Sequence, residues 1–229
     1  MNATTERNLF LDNFTAIEFL AHSNGFFHKP ILLMNVSWTD YEHFLDDFEE
    51  KAGWRLAYSE GNLEIMPPLM EHETPSRVID KFVWAYCEHF DLTVESAGST
   101  TYRRKSEKKG VEPDASFYIQ NADKIIGKSM LVKPDNYPLP DVAVEIDITH
   151  GSLDKFPIYA ALQVPEVWIY DGEAVSFYEL EAQIYHQISH SRALPLLSAE
   201  KLTGFLAASR TKGQTFALKS FREWLREQK

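Results

Sequence analysis

The chain has 229 residues, of which 44% are hydrophobic and 13% aromatic, a composition that favours a packed globular protein and excludes a disordered one. Its net charge of −11 argues against a broad positive surface for binding nucleic acid. The lone cysteine, Cys87, excludes an internal disulfide, and the lack of a signal sequence or long apolar run predicts a cytoplasmic protein outside the membrane.

The N-terminal third of the chain predicts an extension, a helix and a hairpin. Residues 1–36 show few periodic signals and are expected to form an extension on a single domain spanning 37–229. Aromatic and aliphatic residues at helical spacing predict a first helix that ends at Gly53. Apolar residues then alternate around a Gly61-Asn62 turn, which predicts a β-hairpin with Glu64 on the face opposite its aliphatic neighbours.

The segment "HETPSRVIDKFVWAYCEHF" gives the clearest helical pattern. Thr74 is expected to cap this helix and Pro75 to occupy its first position, where proline costs little. Cys87 is expected to be a small buried apolar residue. Tryptophans 38, 54, 84 and 168 fall in periodic segments and are expected in the core.

The rest of the chain alternates strands and helices. Strands are predicted at about 92–96, 99–104, 111–119 and 141–148, a short helix at 155–163 and another strand at 165–171. The last three elements form a βαβ unit, which predicts two parallel strands with a right-handed connection. A second hairpin near 174–189 and helices near 198–208 and 214–227 complete the expected α/β domain.

Several charged residues stand at positions suited to phosphodiester chemistry. Asp114 lies in a predicted strand, Glu145 and Asp147 share one face of the strand "DVAVEIDITH", and Lys155 follows in the first turn of a helix. Mg²⁺ prefers one or two carboxylates, with waters and phosphate oxygens as its other ligands. A lysine beside them can orient water or stabilise developing charge.

Each of these residues also has a purely structural interpretation. Paired acids on a strand face are commonly solvated, and an aspartate after a proline can simply begin a strand. Asp154 is better explained as a helix cap than as a metal ligand. Lys155 can be a surface lysine, and Glu64 beyond a turn can face solvent.

The order of these residues resembles a known family. The stretches "EGNLEIMPPLMEHE", "VEPDASFYI" and "VAVEIDITHGSLDKFPIYAALQVPEVWIYD" resemble the PD-(D/E)xK nuclease superfamily, over about residues 38–180. The closest resemblance is to its large bacterial family of restriction-endonuclease-like proteins, long described as a domain of unknown function. The implied fold is a mixed β-sheet flanked by helices, with an N-terminal extension and C-terminal helices.

The resemblance implies an endonuclease that hydrolyses DNA with Mg²⁺ or Mn²⁺, and it suggests a homodimer. Asp114 and Glu145 match the two acids of the motif and would be metal ligands. The motif's lysine would stand at position 147, where this chain has Asp147, so Lys155 on the following helix is the expected catalytic replacement. Glu64, Glu73 and Asp147 resemble auxiliary acids near the site.

A basic cluster precedes Asp114 and is the candidate contact for a nucleic-acid backbone. Its members are expected at a hairpin tip beside the site, and they are Arg103, Arg104, Lys105, Lys108 and Lys109. The alternative for this cluster is a solvated loop. The alternative for the whole chain is an inactive nuclease-fold module that binds nucleic acid or a protein partner, supported by Asp147 at the lysine position and by the acidic net charge.

Overall fold

A computed structural model describes residues 30–48, 54–67, 69–127, 138–148 and 153–228. These residues contain five α-helices, which are α1 (Trp38–Phe48), α2 (Met70–His89), α3 (Phe156–Leu162), α4 (Ala199–Lys212) and α5 (Gln214–Glu227). They also contain eleven strands. The first six are β1 (Ile31–Leu33), β2 (Arg55–Ser59), β3 (Asn62–Met66), β4 (Glu95–Ser96), β5 (Tyr102–Arg104) and β6 (Lys109–Val111). The other five are β7 (Ala115–Tyr118), β8 (Val142–Ile146), β9 (Glu166–Tyr170), β10 (Val175–Glu181) and β11 (Ile184–Ile188).

The strands form two sheets, which we call sheet A and sheet B. Sheet A has the order β1-β3-β2-β6-β5 and is antiparallel throughout. Sheet B has the order β11-β10-β9-β8-β7-β4, and only its β8–β9 pair is parallel. The chain crosses from sheet A to sheet B between Val111 and Ala115. Asp114 lies in this crossing, so residues of both sheets surround it.

Both faces of sheet B are covered. On one face Val142, Val144 and Ile146 of β8 pack with α2, α4 and α5. On the other face Ala143 packs with α3 and with residues of sheet A. All five residues of β8 are therefore buried, including Glu145, which retains 6% of its accessible surface.

The expected α/β fold with a mixed sheet flanked by helices is confirmed. The parallel β8-α3-β9 unit, both predicted hairpins and both C-terminal helices are present. Residues 30–36 of the expected extension include β1, which pairs with β3, whereas residues 1–29 and the predicted helix end at Gly53 lie outside the described residues.

Three local predictions were wrong. The second helix begins at Met70, not at Thr74, so Pro75 lies inside α2. The strand predicted over 111–119 is two strands in different sheets, because the crossing at Pro113 and Asp114 interrupts it. Trp84 is 46% exposed because it lies on α2 away from the buried stripe, whereas Trp168 and Cys87 are buried as expected.

Candidate active site

Asp114 and Glu145 lie near each other at the ends of two neighbouring strands, close enough for the negative charge of Asp114 to act on Glu145. In the β7–β8 pair, Ala115 lies opposite Val144. Asp114 immediately precedes β7, and its N–H donates to the Val144 carbonyl at 2.9 Å. The Ile146 N–H donates to Asp114 Oδ2 at 2.7 Å, which ties the aspartate to the end of β8.

Lys155 and Tyr159 of the following helix both reach Glu145. The Lys155 ammonium lies 2.7 Å from Glu145 Oε2, and the Tyr159 hydroxyl donates to Glu145 Oε1 at 2.5 Å. The lysine stem therefore extends back over the strand end, and Lys155 is a half-buried ion-pair partner of Glu145. The alternatives in which Glu145 lies on a solvated strand face and Lys155 is a surface lysine therefore do not hold.

Arg55 at the start of β2 contacts the other acid. Its Nε lies 3.2 Å from Asp114 Oδ1, and its Nη2 donates to Glu73 Oε1 at 2.5 Å. The Arg55 side chain is 5% exposed and the Asp114 side chain 4%. Glu73, in the first turn of α2, thus reaches the site through the guanidinium that it shares with Asp114.

Glu64 and Asp147 are two further acids near Lys155 and the cleft, respectively. Glu64 of β3 is 1% exposed, and its Oε2 accepts a hydrogen bond from the Leu153 N–H at 3.1 Å, so the alternative in which Glu64 faces solvent does not hold. Asp147 lies one residue beyond β8 and is half-buried; its N–H donates to the Tyr170 carbonyl at 2.8 Å. Asp154 precedes Lys155, which is the N-cap residue of α3, so the interpretation of Asp154 as the helix cap is wrong; its Oδ1 accepts from the Phe156 N–H at 3.0 Å.

A cleft of about 300 Å³ opens beside Glu145. Its charged residues are Glu145, Asp147, Asp154 and Lys155, and its apolar and aromatic residues are Met66, Ile146, Leu153, Phe156, Tyr159, Val167 and Ile169. The cleft gives a ligand access to Glu145.

Burial raises the pKa of Asp114 and of Glu145. For Asp114 burial is the largest cause, and the positive charges of Arg55 and Lys155 oppose it. For Glu145 burial is again the largest cause, Lys155 opposes it, and the negative charge of Asp114 adds to it. Two carboxylates that share a buried site repel each other, and a further cation between them would relieve that repulsion.

The neighbouring side chains keep fixed charge states near neutral pH. Burial lowers the pKa of Lys155, but the negative charges of Glu145, Asp114 and Glu64 outweigh it, so the pKa is raised. Burial and the negative charge of Glu145 raise the pKa of Tyr159. His72 of α2 is buried, and burial together with the charges of Arg55 and Lys155 lowers its pKa, which favours a neutral imidazole.

The donor set fits Mg²⁺ or Mn²⁺ better than a metal that needs a complete protein cage. Within the described ranges no group of three or more His, Cys, Asp or Glu side chains is arranged to hold a metal ion. Mg²⁺ needs only one or two carboxylates, with waters and phosphate oxygens as its remaining ligands. Asp114 and Glu145 meet that requirement, and their mutual repulsion gives a divalent cation an electrostatic reason to bind.

The basic cluster lies at the β5–β6 hairpin, and most of its members contact other protein groups. Glu42 lies 3.8 Å from Arg103 and 3.5 Å from Lys105. Arg104 donates to the Ala161 carbonyl at 2.9 Å, and Lys109 donates to Ser59 at 2.6 Å and to Glu60 at 3.0 Å. Lys108 is exposed and, over the part of the chain that the structure describes, its ammonium has no ion-pair partner.

Sequence reasoning did not single out Arg55 and Tyr159. A signal for Tyr159 existed, because it lies four residues after Lys155 on a predicted helix and residues at that spacing share one face. The signal for Arg55 was weaker and consisted of one cation among the alternating apolar residues of the first hairpin. Its contact with Asp114 depends on where β2 of sheet A lies relative to the segment that connects the two sheets.

Comparisons with known proteins give a similar crystal structure and a family match. A crystal structure described as a "putative nuclease belonging to DUF820", from Anabaena variabilis, matches with a TM-score of 0.45 and 14% identity, covering 71% of this chain and 98% of that one. No curated protein matches the chain. The model of the Uma2 family, described as "Putative restriction endonuclease", matches residues 38–209. Since this match spans well over half of the 229 residues, the chain belongs to the Uma2 family.

Proposed function

We propose that this protein is a divalent-metal-dependent endonuclease that hydrolyses phosphodiester bonds of DNA, with its active site at Asp114, Glu145 and Lys155. The observation that carries the proposal is a pair of buried, neighbouring carboxylates, Asp114 and Glu145, with a lysine 2.7 Å from one of them. Membership of the Uma2 family supports nucleic acid as the substrate class.

Asp114 and Glu145 are the residues that would hold the metal ion. When bound there, Mg²⁺ or Mn²⁺ would offset the negative charge of the phosphodiester and make a water molecule easier to deprotonate. The chain itself keeps the two carboxylates buried and held in place, through the Ile146 N–H on Asp114 and the Lys155 ammonium on Glu145. Glu64, Glu73 and Asp147 are proposed as auxiliary acids.

Lys155 takes the role that the motif gives to a lysine at position 147. Its raised pKa keeps it protonated at neutral pH, so it can donate a hydrogen bond at any stage of the reaction. It lines the cleft beside Glu145, where a phosphate oxygen would enter. We assign it the stabilisation of negative charge on the phosphate and the orientation of the attacking water.

Cleavage assays test this proposal. The wild-type protein is incubated with plasmid, single-stranded DNA and RNA, each with millimolar Mg²⁺ or Mn²⁺ and with EDTA. We expect metal-dependent cleavage of DNA, and we expect Asp114→Asn and Glu145→Gln to lower it at least about a hundredfold, because each removes a charged metal ligand. Lys155→Met should lower kcat, because it removes the cation assigned to the phosphate.

The matched control is Glu179→Gln. Glu179 of β10 is a partly buried carboxylate paired with Arg192, away from Asp114 and Glu145, so its substitution should leave cleavage unchanged. Melting curves with and without Mn²⁺ give a second readout, because binding to the native state stabilises it. The proposal fails if Mn²⁺ raises the melting temperatures of wild type and Asp114→Asn equally and no substrate is cut.

One observation favours the alternative of an inactive module that binds nucleic acid or a protein partner. Arg55 already supplies a positive charge to Asp114, so the protein has an internal counter-charge where a metal ion would otherwise be required. If Arg55 replaces the metal, the wild type will show no Mn²⁺ stabilisation but will still bind DNA or a protein partner. The same melting and cleavage experiments therefore separate the two functions.

The remaining expectations concern the setting in which the protein acts. None of the described helices has the length and apolarity required to cross a bilayer. The cytoplasmic location and the homodimer stay predictions, and sedimentation velocity with and without DNA tests the dimer.

A further inference from the structure

Both carboxylate oxygens of Glu145 are held by side chains of one short segment. Lys155 contacts Oε2 at 2.7 Å, and Tyr159 donates to Oε1 at 2.5 Å. Tyr159 lies four residues after Lys155, and the Tyr159 N–H donates to the Lys155 carbonyl at 3.0 Å, so the two side chains leave α3 on the same face.

The ring of Tyr159 is fixed by packing. Tyr159 is 0% exposed and belongs to the cluster that joins α3 to both sheets, with Ala143 and Val167 of sheet B among its members. A buried aromatic ring has few accessible rotamers, so the hydroxyl oxygen has one position relative to β8.

A glutamate needs such a donor to present one orientation. The backbone of β8 fixes the start of the Glu145 side chain, but the terminal torsion of glutamate is broad and lets the carboxylate plane rotate. Two hydrogen bonds, one on each oxygen, remove that freedom. We propose that Tyr159 is a positioning residue that, with Lys155, holds the Glu145 carboxylate in the orientation that binds the metal ion.

This inference rests on the proposed function, and it assigns Tyr159 a role distinct from those of the metal ligands and Lys155. Tyr159 borders the cleft, but it is fully buried and its hydroxyl is already hydrogen-bonded to Glu145, so we expect it to act through Glu145 and not by contacting DNA. Partners that orient metal ligands typically change metal affinity or activity by about 10- to 100-fold when removed.

The test is Tyr159→Phe, which keeps the ring and removes only the donor. Mn²⁺ binding is measured by isothermal titration calorimetry without DNA, and kcat and KM are measured on a DNA substrate. We expect the Kd for Mn²⁺ to rise about tenfold or more and kcat at fixed Mn²⁺ to fall by about 10- to 100-fold. KM for DNA should be unchanged.

The matched control is Tyr118→Phe. Tyr118 is also buried, and its hydroxyl donates to the Pro138 carbonyl at 2.6 Å, away from either acid. This variant measures the general cost of losing a buried hydroxyl, and it should bind Mn²⁺ as the wild type does. Circular dichroism establishes that both variants are folded before binding is measured.

The outcomes distinguish this inference from the proposed function. If the wild type binds Mn²⁺ and Tyr159→Phe binds it equally well, the positioning role is refuted and the metal site stands. An equal loss of affinity in Tyr159→Phe and Tyr118→Phe refutes the positioning role as well, since the effect then follows from any lost hydroxyl. A wild type that neither binds Mn²⁺ nor cuts DNA refutes the proposed function, and the positioning role with it.

Discussion

At the scale of single residues, the ion pair of Arg55 and Asp114 is the contact on which the stability of the site depends most. Both side chains are at most 5% exposed. Buried charges are tolerated only when they are paired, because the loss of hydration is large and the partner's attraction offsets it. Arg55 also contacts Glu73, so one guanidinium neutralises acids from the crossing and from α2.

We predict that Arg55→Met destabilises the protein by about 3–5 kcal/mol, because it leaves Asp114 buried without its cation. If Asp114 holds a metal ion, Mn²⁺ will replace the missing charge, and it will raise the melting temperature of Arg55→Met more than that of the wild type. Differential scanning fluorimetry with and without Mn²⁺ measures both effects.

Arg192→Met is the control for this prediction, because Arg192 forms an ion pair with Glu179 on the surface. Exposed pairs contribute about 0–1 kcal/mol, so this variant should melt close to the wild type and show the wild-type response to Mn²⁺. Equal destabilisation of the two arginine variants would contradict the buried-pair argument.

At the scale of secondary-structure elements, a close approach between α1 and β6 fixes the hairpin that precedes Asp114. A Cβ atom on Gly110 of β6 would lie 2.1 Å from the Tyr41 hydroxyl oxygen and 2.7 Å from the ring carbon that bears it. Tyr41 is fully buried and stacks on Tyr58 with ring centroids 4.8 Å apart, so it has no room to move. Glycine at 110 therefore lets β6 lie between β2 and β5 beneath α1.

We predict that Gly110→Ala destabilises the protein by about 1–3 kcal/mol, or more if Tyr41 is displaced, because the core is overpacked. Urea denaturation followed by tryptophan fluorescence measures this change. Gly204→Ala is the control: a Cβ atom there meets nothing within 4 Å, and alanine in a helix is about 1 kcal/mol more favourable than glycine. An unchanged urea midpoint for Gly110→Ala would contradict this prediction, because it would show that the Tyr41 side chain can move to make room for a Cβ atom.

At the scale of the whole molecule, the negative net charge limits how strongly this protein can bind DNA. The net charge of −11 repels a polyanion, and internal contacts already occupy most of the basic cluster. Lys108 is the member best placed for a phosphate contact, because it is exposed at the hairpin tip, where it adopts a left-handed backbone with φ of 48°. Binding should therefore depend on few phosphate contacts.

We predict that Lys108→Ala makes the slope of log K for duplex-DNA binding against log salt concentration less negative by about 0.9. This is the value for one lost phosphate contact. Lys109→Ala should leave the slope unchanged, because Lys109 is buried and bonded to Ser59 and Glu60. Fluorescence anisotropy in the Glu145→Gln background, which prevents cleavage, measures both slopes. A larger effect from Lys109 would show that the hairpin opens on binding.

Much of the fold could be predicted because it depends on short-range patterns. Alternation and helical spacing identified both hairpins, the β8-α3-β9 unit and the two C-terminal helices, since these periods reflect local geometry. The start of α2 was missed because proline is tolerated inside a helix when tertiary packing compensates for it. The interrupted strand at 111–119 was missed because apolar alternation does not reveal which sheet a strand joins.

The sequence by itself determined the α/β fold class and the order of the residues proposed for the active site, which are Asp114, Glu145 and Lys155. Only the tertiary structure decided that Asp114 and Glu145 are neighbours, that Lys155 reaches back to Glu145, and that Arg55 and Tyr159 contact these acids. The physical reason is distance along the chain. Periodic patterns report geometry over a few residues. The proximity of Arg55 to Asp114 and of Asp114 to Glu145 instead depends on sheet register and on the crossing between two sheets.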